Sequence, residues 1–537
     1  MQFLIKISLG WAVVKVYIAT AGLQWDQFMA RHFARGHIII VAGGISKAPP
    51  PGDPDRPKRT ALTVDKTALA LDLTMALAPQ NSVVLCIAGI DSGTRTRLWD
   101  AGVKVISGEL TTSEILETTG ASRAATLIAM RDNYSENLAL VLAATSPSTN
   151  NTTLECKCML EPLSIRRDLK AEDYFDSDVL PRVRLFNESE LIARRILREH
   201  PPDEPVAATE AGVHLLLVGN GSVGQSVLVN LARIGHYRSG KRPKVTVVDR
   251  RVQANWLETL RAFPALTDWL EVELEEIRIE DVEHHNVSRW LEDARPITAV
   301  FVCTKDEIAN LRIARKLIES MNNRSIATGI NPAKVVALDP PGGIVLSDFA
   351  KRGVRPEQFS LFSLVSRDNS CVAEGLLSDV DDSRAKLFHH DYCAKDDEKC
   401  AANPGRSKAI NNKPWEALTE GMRNANRNVT DHFDIKLRAI GCKALPKGTA
   451  HPVTLTDQEQ EILARMEHNR WWADKALAGW THAPDRNDLK LLHPDMIPYE
   501  QLSDEIKQWD RNSVIKMIEI FESEGLVVSR TGDQVNG

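Results

Sequence analysis

The stretch GVHLLLVGNGSVGQSVLVNLARIG at residues 212–235 constrains the fold of this 537-residue chain more than any other. Its apolar run predicts a buried strand, its glycines predict a tight turn, and its last part has the pattern of a helix. A second apolar run, KVTVVDRR at 244–251, predicts the next strand of the same sheet. Buried strands that alternate with helices form parallel sheets with both faces covered. We therefore predict an α/β domain that begins near residue 212.

The glycines of this stretch have the spacing G-x-G-x-x-G, which in a strand–turn–helix unit favours a Rossmann-type nucleotide site. Gly219 would permit the tight turn, Gly221 would let backbone approach a pyrophosphate, and Gly224 would let the helix pack closely on the strand. The N-terminus of the helix would offer free N–H groups to the anion. A glycine turn kept only for packing is the alternative interpretation.

An acidic residue, Asp249, ends the second strand, where a carboxylate would bond ribose hydroxyls. Arg250 and Arg251 follow it and could instead meet a phosphate on the ribose. We expect NAD or an adenine nucleotide as the cofactor. The residues expected to bind it are Gly219, Asn220, Gly221, Ser222, Val223, Gly224, Asp249 and Arg250.

Another α/β domain is predicted upstream, beginning with the strand HIIIVAGG at 37–44. Further buried strands are predicted at 82–91, 102–109 and 124–130. After the two glycines, the sequence ISKAPPPGD has no glycine at the third position of the motif and has prolines where a helix would begin. We expect this degraded loop to serve the structure and to form no ordinary dinucleotide cradle.

The two α/β domains share internal similarity that predicts a duplication. Residues 125–144 and 299–317 each contain a strand, a basic residue, an aspartate, and an Asn-Leu pair that opens a helix. The matched residues are Asp132, Asn137 and Leu138 with Asp306, Asn310 and Leu311.

The C-terminal third contains a second duplication. Residues 415–441 and 499–525 align without gaps at a constant offset of 84. Upstream, AKLFHHDYC at 385–393 matches ARMEHNRWW at 464–472. This match aligns His389 with His468 and Tyr392 with Trp471. Similarity at this scale predicts a duplicated helical unit.

The run MEHNRWWADKALAGW at 466–480 contains three of the eleven tryptophans. Thr456 and Glu459 predict a capping box upstream, and Gly479 predicts the end of the helix. One interpretation is a helix that a buried hydrogen bond clamps in place. The other is a pocket in which Trp471 or Trp480 stacks on a ring while the ring edge bonds Glu467, His468 and Arg470.

Composition argues against several functions. A net charge of −6 and a pI near 6.2 argue against a nucleic-acid partner. The eight cysteines contain no CxxC pair, which indicates reduced thiols in a cytosolic compartment and no zinc or other metal site. The chain has no HExxH, nucleophile elbow or Walker lysine loop, so we identify no catalytic residue and expect no enzyme.

The first 24 residues are apolar, but Lys6 and Lys15 interrupt them. We expect a helix that packs on the next domain or lies on a membrane surface, and a membrane span or signal sequence is the alternative. The predicted fold class is α/β, with two Rossmann-like doubly wound parallel sheets followed by a mainly α-helical tandem repeat. The predicted segments are 1–36 (apolar connector), 37–145 and 212–330 (Rossmann-like domains), 146–211 and 331–382 (connectors), 383–445 (degenerate repeat) and 456–528 (second repeat).

The first α/β domain resembles the RCK (TrkA-N) family of nucleotide-binding regulators of potassium channels and transporters. The resemblance rests on LWDAGVKVISGE (98–109), EILETTG (114–120), AATLIAM (124–130) and ENL (136–138). Glu109 stands where that family usually has aspartate. The resemblance is good over 37–144 and fainter over 212–320. It implies homodimers and an adenine nucleotide or dinucleotide on the loop of Gly219, Gly221 and Gly224.

The C-terminal segment resembles the ryanodine receptor repeat (RyR) domain over 456–528. The residues that carry this resemblance are EHNRW (467–471), AGW (478–480), HPDMIPYEQL (493–502) and DR (510–511). Such domains are suspected of recognising nucleotide-derived signals. The resemblance therefore implies a ligand site at Glu467, His468, Arg470, Trp471, Trp480 and Arg511.

Together these features predict a non-catalytic sensor that binds a nucleotide or nucleotide-derived signal through its Rossmann and RyR domains. The resemblances imply control of potassium or other ion transport, or of another membrane effector, at the cytoplasmic face of a membrane. An NAD(P)-dependent oxidoreductase and a repeat scaffold for protein interactions are the alternatives. The helical repeats offer no obvious Ser/Tyr/Lys set for the oxidoreductase.

Overall fold

The computed structural model describes most of the chain between residues 25 and 532. The described residues are 25–43, 66–146, 149–160, 183–278, 281–282, 288–291, 293–328, 331–339, 358–363, 382–403, 405–409 and 411–532. The predicted N-terminal apolar segment 1–24 and most of the connector 331–382 lie outside them. The chain forms two compact units, and the first comprises Met1–Glu161, Tyr174–Asn187 and Val365–Asp379. No described helix is both long enough and apolar enough to cross a membrane.

The first unit contains a six-stranded parallel sheet in the order β3-β2-β1-β4-β5-β6. Its strands are β1 Ile38–Ala42, β2 Val83–Ile87, β3 Lys104–Ser107, β4 Thr126–Met130, β5 Glu155–Met159 and β6 Val183–Phe186. Its helices are α1 Lys66–Leu77, α2 Ser92–Asp100, α3 Thr112–Thr118 and α4 Tyr134–Thr145, with a 3₁₀ turn at Ala121–Arg123. Strands β1, β2 and β4 are buried along their whole length, as their mainly apolar sequences predict.

The second unit contains a parallel sheet of the same topology, in the order β12-β11-β10-β7-β8-β9. Its strands are β7 His214–Val218, β8 Lys244–Asp249, β9 Glu271–Glu276, β10 Ala299–Val302, β11 Lys334–Asp339 and β12 Phe359–Ser363. Its helices are α5 Glu188–Glu199, α6 Ser222–Ile234, α7 Val252–Ala262, α8 Leu266–Trp269, α9 Ser288–Leu291 and α10 Glu307–Thr328. Strand order reverses between β7 and β10, and the glycine loop follows β7 at this switch point.

The two sheets share a hydrogen-bond motif at the end of their fourth strand. In the first unit, the Asn137 amide accepts from the Arg131 N–H at 2.8 Å and donates to the Arg131 and Met159 carbonyls. In the second, the Asn310 amide makes the same bonds to Thr304 and Leu338. The predicted duplication is therefore visible in its contacts, because each asparagine ties its strand-four loop to strand five.

The C-terminal part of the second unit is a helical tandem repeat. Its main helices are α11 Ser383–Ala402, α12 Glu420–Asp431, α13 Phe433–Ala439, α14 Asp457–Leu477 and α15 Asp504–Ser523. Strands β13 Cys442–Pro446 and β16 Leu526–Arg530 pair antiparallel, and the short strands β14 Thr481–His482 and β15 Leu492–His493 pair parallel. Three 3₁₀ turns lie at Trp415–Ala417, Asp488–Lys490 and Tyr499–Gln501. Ala444 faces Val528, its equivalent at the offset of 84, so a local twofold relates the two copies.

Equivalent side chains make equivalent bonds in the two copies. His389 Nε2 lies 2.7 Å from the Lys413 carbonyl oxygen. His468 Nε2 lies 2.8 Å from the carbonyl oxygen of Ile497, which is the residue equivalent to Lys413 at the offset of 84. In both copies the ring therefore fixes the first helix to the segment before the 3₁₀ turn. The arginine at the aligned position also forms an ion pair in each copy, Arg427 with Asp382 at 2.6 Å and Arg511 with Glu461 at 2.9 Å.

Candidate functional site

The glycine loop of the second sheet is built by three glycines with different roles. Gly219 has φ +97°, and a Cβ there would lie 2.8 Å from the Cys303 carbonyl oxygen. A Cβ on Gly224 would collide with the carbonyl oxygen of Gly219. Both positions therefore require glycine for the turn and for close packing of helix on strand. A Cβ on Gly221 would meet nothing within 4 Å, so the loop is open to an approaching group there.

Helix α6 begins directly at this opening. Gly221 is its N-cap and provides no side-chain hydrogen bond, and Ser222 is its first, half-buried residue. Val223 is buried and packs inward. The amide of Asn220 is fully buried, and both of its polar atoms lack a hydrogen-bond partner within the part of the chain that the structure describes. A buried amide without partners costs about 1–3 kcal/mol.

Asp249 lies at the end of β8, beside the loop. Its Oδ2 accepts the Asn220 backbone N–H at 2.9 Å, and its Oδ1 accepts the Arg251 backbone N–H at 2.8 Å. Asn255 on α7 donates to the Asn220 carbonyl oxygen at 2.8 Å. The side chains of Arg250 and Arg251 are exposed. Every residue that the sequence predicts for the cofactor site therefore lies at this one edge of the second sheet.

In the first unit the corresponding sheet edge has a different character. A shallow open cleft lies at the ends of β1, β2 and β3, with Glu109 and Arg131 among its lining residues. Gly43 has φ +71°, and Arg131 Nε donates to its carbonyl oxygen at 3.3 Å. The proline-rich segment that follows Gly43 lies outside the described residues.

The predicted RyR site residues divide into two groups. Glu467, His468 and Arg470 are buried, and each already has protein partners. Trp471 and Trp480 are only partly buried. Their rings lie 4.9 Å and 6.1 Å from the ring of His493. The Lys475 ammonium lies 4.5 Å from the Trp480 ring centroid. Arg511 pairs with Glu461, away from the buried group.

Glu467 is the centre of a buried ion cluster. Its carboxylate lies 2.7 Å from Lys436 Nζ and 2.9 Å from Arg470 Nη2, with His432 Nδ1 at 3.8 Å. Glu467 is 4% exposed and Lys436 is 0% exposed. Burial opposes ionisation of this carboxyl, but the charges of Arg470 and Lys436 outweigh burial and hold the pKa of Glu467 well below its usual value.

Two histidines join this cluster to the second sheet domain. His432 Nε2 lies 2.8 Å from the carbonyl oxygen of His236, just after helix α6. Burial lowers the pKa of His432 to about 4 and that of His236 to about 3, so both rings are neutral near pH 7. His432 Nδ1 lies 3.8 Å from the Glu467 carboxylate, beyond hydrogen-bond distance, so the His432 ring packs between Glu467 and the residue that follows α6.

Other contacts hold the same interface. The Arg194 guanidinium of α5 forms a bidentate ion pair with the Asp431 carboxylate, with N–O distances of 2.8 and 3.0 Å. Arg438 forms another with Asp203, with both N–O distances 2.9 Å. The rings of Trp269 and Trp472 lie 5.5 Å apart, and Arg238 donates to the Ala439 carbonyl oxygen. Bidentate pairs of this kind fix the relative orientation of the two side chains as well as stabilising the contact.

Sequence reasoning missed the residues that complete the cluster, namely His236, His432 and Lys436. The repeat alignment contains one signal for them. At the offset of 84, Lys436 aligns with the buried Ile520, so a lysine occupies a core position of its copy. A charge at such a position requires a buried partner. Nothing in the sequence identifies that partner as Glu467.

The strand order makes both sheet domains Rossmann-like, and the second also has the glycine loop. Residues 452–530 match the family model described as the RyR domain, which confirms the resemblance for that segment. The resemblance to the RCK family is not confirmed by a family match and stays a prediction. A search of curated protein sequences gives no match.

Two solved structures show a low similarity to the chain. A dipicolinate synthase chain from Bacillus halodurans is 12% identical with a TM-score of 0.21, over 64% of this chain and 96% of that one. A glycosyltransferase from Rickettsia africae is 10% identical with a TM-score of 0.21, over 76% of this chain and 96% of the glycosyltransferase chain. Scores this low carry no argument about function.

Proposed function

We propose that this chain is a non-catalytic sensor whose second Rossmann-like domain binds an adenine nucleotide or NAD and passes the binding signal to the RyR repeats. Three features of the loop support nucleotide binding. Gly221 leaves an open approach, helix α6 presents an N-terminus without a side-chain cap, and the Asn220 amide is buried without partners among the described residues. Free N–H groups and the helix dipole at such a terminus favour a phosphate.

The observation that carries the sensor proposal is the position of helix α6. Its first turn forms the nucleotide loop, and the residue two positions after its end, His236, accepts a hydrogen bond from His432 of the RyR tandem. A rigid helix of 13 residues therefore lies between the two sites. A ligand that shifts or stiffens α6 would change the packing of the RyR repeats, provided that it binds two arrangements with different affinity.

The RyR domain is the proposed place for a second signal. The partly exposed rings of Trp471 and Trp480, with Lys475 beside them, suit a flat anionic ligand. Glu467 and Arg470 would support this surface from below through their ion pair. The proposal includes a homodimer and a membrane effector, either a conductor of potassium or other ions or another membrane protein. Only the family resemblance supports these two parts.

Equilibrium binding of ADP, ATP and NAD⁺ to the full chain tests this proposal. We expect the Gly221→Asp variant to weaken binding at least about tenfold, because its carboxylate would meet the diphosphate at the opening. Gly421→Asp is the matched control, since it adds the same charge at the start of helix α12. Absence of binding to the unsubstituted chain would refute nucleotide sensing at this loop, and hydride transfer from NAD(P)H to any substrate would favour an oxidoreductase.

A further inference from the structure

We propose that an aromatic patch on the helix at residues 25–32 binds the surface of an anionic lipid membrane. This helix precedes β1 in the first unit. The patch consists of Trp25, Phe28 and Phe33, which are 59%, 47% and 61% exposed. The ring centroid of Phe28 lies 6.0 Å from that of Trp25 and 5.6 Å from that of Phe33. Three large aromatic rings that lie together at the surface indicate an interaction surface, whereas a single exposed ring would not.

The opposite face of this helix is packed on the first unit. Ala30 is fully buried, and a Cβ on Gly120 would lie only 2.6 Å from its carbonyl oxygen. Asp26 Oδ2 accepts the Val105 N–H of the edge strand β3 at 3.3 Å. The unit therefore buries the small residues of the helix and holds its largest apolar side chains on the outside, in a fixed orientation.

Basic side chains flank the aromatic patch. Arg31 and Arg35 are exposed, one on the helix and one just after it. Arg31 forms an ion pair with Glu117, which offsets one of these charges. Burial raises the pKa of Asp26, and the charge of Lys104 opposes this rise, so Lys104 also lies near the helix. The positive charge around the patch is complementary to anionic lipid headgroups.

The sequence that leads into the helix has the same character as the patch. Residues 1–24 are mainly apolar, carry Lys6 and Lys15, and contain no Asp or Glu, although the whole chain has a net charge of −6. Tryptophan, phenylalanine and basic residues together are typical of helices that lie in a membrane interface. We therefore favour a lipid surface over a protein partner, because anionic headgroups complement both the patch and the segment before it. Nucleotide binding has no part in this proposal.

Flotation of the full chain with lipid vesicles tests the proposal. We expect binding to vesicles made of phosphatidylcholine and phosphatidylglycerol in equal amounts, and at least about tenfold weaker binding to phosphatidylcholine alone. Added salt should weaken the binding, because it screens the charges of the headgroups. Equal binding to both kinds of vesicle, or no binding to the anionic ones, would overturn the proposal.

Variants of the patch locate the contact. Phe28→Ser/Phe33→Ser should weaken binding to the anionic vesicles at least about tenfold, because two aromatic rings no longer enter the interface. Met75→Ser is the matched control, since it removes an exposed apolar side chain from helix α1, and it should bind like the unsubstituted chain. Both variants keep residues 1–24. Unchanged binding of the double-phenylalanine variant would therefore place the membrane contact elsewhere and overturn the proposal.

A charge variant provides a test that leaves the aromatic rings in place. Arg35→Glu reverses an exposed charge and should weaken binding to the anionic vesicles at least about fivefold. Binding that is as tight as that of the unsubstituted chain would contradict the role of the basic flank.

Sedimentation equilibrium distinguishes a second copy of the chain as the occupant of the patch. A dimer that becomes a monomer in Phe28→Ser/Phe33→Ser, while the unsubstituted chain binds no vesicles, would make the patch a subunit interface and overturn the proposal. The affinity for nucleotides should be the same in this variant as in the unsubstituted chain. Failure of the lipid proposal thus leaves the proposed function intact, and failure of nucleotide binding leaves the lipid proposal intact.

Discussion

At the scale of single residues, the second RyR copy differs from the first in the charges that it buries. Glu467 and Arg470 stand where the first copy has Phe388 and Asp391, and they meet Lys436, a lysine in a core position of the first copy. Burial of three charges is costly, and it persists only when each charge has partners. The cluster thus joins the two copies, because Lys436 of the first copy is buried against the Glu467 carboxylate of the second.

Replacement of Glu467 by glutamine should destabilise the second unit by about 3–5 kcal/mol, because Lys436 and Arg470 would remain buried without their shared carboxylate. The free energy of unfolding in urea, followed by tryptophan fluorescence, measures this loss. Glu461→Gln on the same helix is the matched control and should cost no more than about 1 kcal/mol, since its ion pair with Arg511 is partly exposed. Equal losses in both variants would refute the role of the cluster.

The neutral histidines at the interface predict a dependence of stability on pH. Burial lowers the pKa of His432 to about 4 and of His236 to about 3, below the ordinary value of 6.5. The unfolded chain therefore binds more protons than the folded one as the pH falls from 6.5 toward 4. Each histidine should lower the free energy of unfolding by up to about 1.4 kcal/mol per pH unit over that range.

Urea unfolding at pH 7, 6, 5 and 4.5 checks this pH dependence. A His432→Gln variant, which keeps a side-chain donor but no titratable ring, should show a smaller slope than the unsubstituted chain. A slope that is unchanged in this variant would contradict the assignment of the effect to His432.

At the scale of elements, helix α6 connects the glycine loop with the RyR tandem. Its N-terminus has the open position at Gly221 and the closely packed position at Gly224. Its C-terminal end leads to His236, which contacts His432. The local sequence pattern predicts the structure at the N-terminus of α6, because the spacing of the glycines indicates the tight turn, the close packing of helix on strand and the anion site. The second end depends on contacts between residues almost 200 positions apart, which no local pattern encodes.

The two glycines should respond differently to the same added methyl group. Gly224→Ala forces a Cβ against the Gly219 carbonyl oxygen and should destabilise the domain by about 1–3 kcal/mol. Gly221→Ala meets open space and should change stability by less than about 1 kcal/mol while it weakens nucleotide binding. Paired measurements of urea unfolding and nucleotide affinity test both statements. A Gly221→Ala variant that is strongly destabilised would show that the position serves packing.

At the scale of the whole molecule, the sequence predicts the α/β class, the duplication of the sheet domain and the helical tandem repeat, and the structure confirms them. Each of these features has a local signal in the sequence. Apolar runs indicate the buried strands, glycine spacing indicates the loop, and the offset of 84 indicates the tandem repeat. The sequence does not predict which charged residues are buried. Glu467 and Arg470 look like candidates for a ligand pocket because helical periodicity shows which face they share, but it does not show that Lys436 covers that face.

Hydrogen exchange of the full chain, with and without saturating NAD⁺, tests the central claim most directly. Linkage through α6 predicts slower exchange at the glycine loop 219–224 and also in the RyR segments 428–437 and 464–477. ADP and ATP serve as further ligands if NAD⁺ does not bind. Slower exchange confined to the second sheet domain, with the RyR segments unchanged at full occupancy, would contradict the claim that nucleotide binding reaches the RyR repeats.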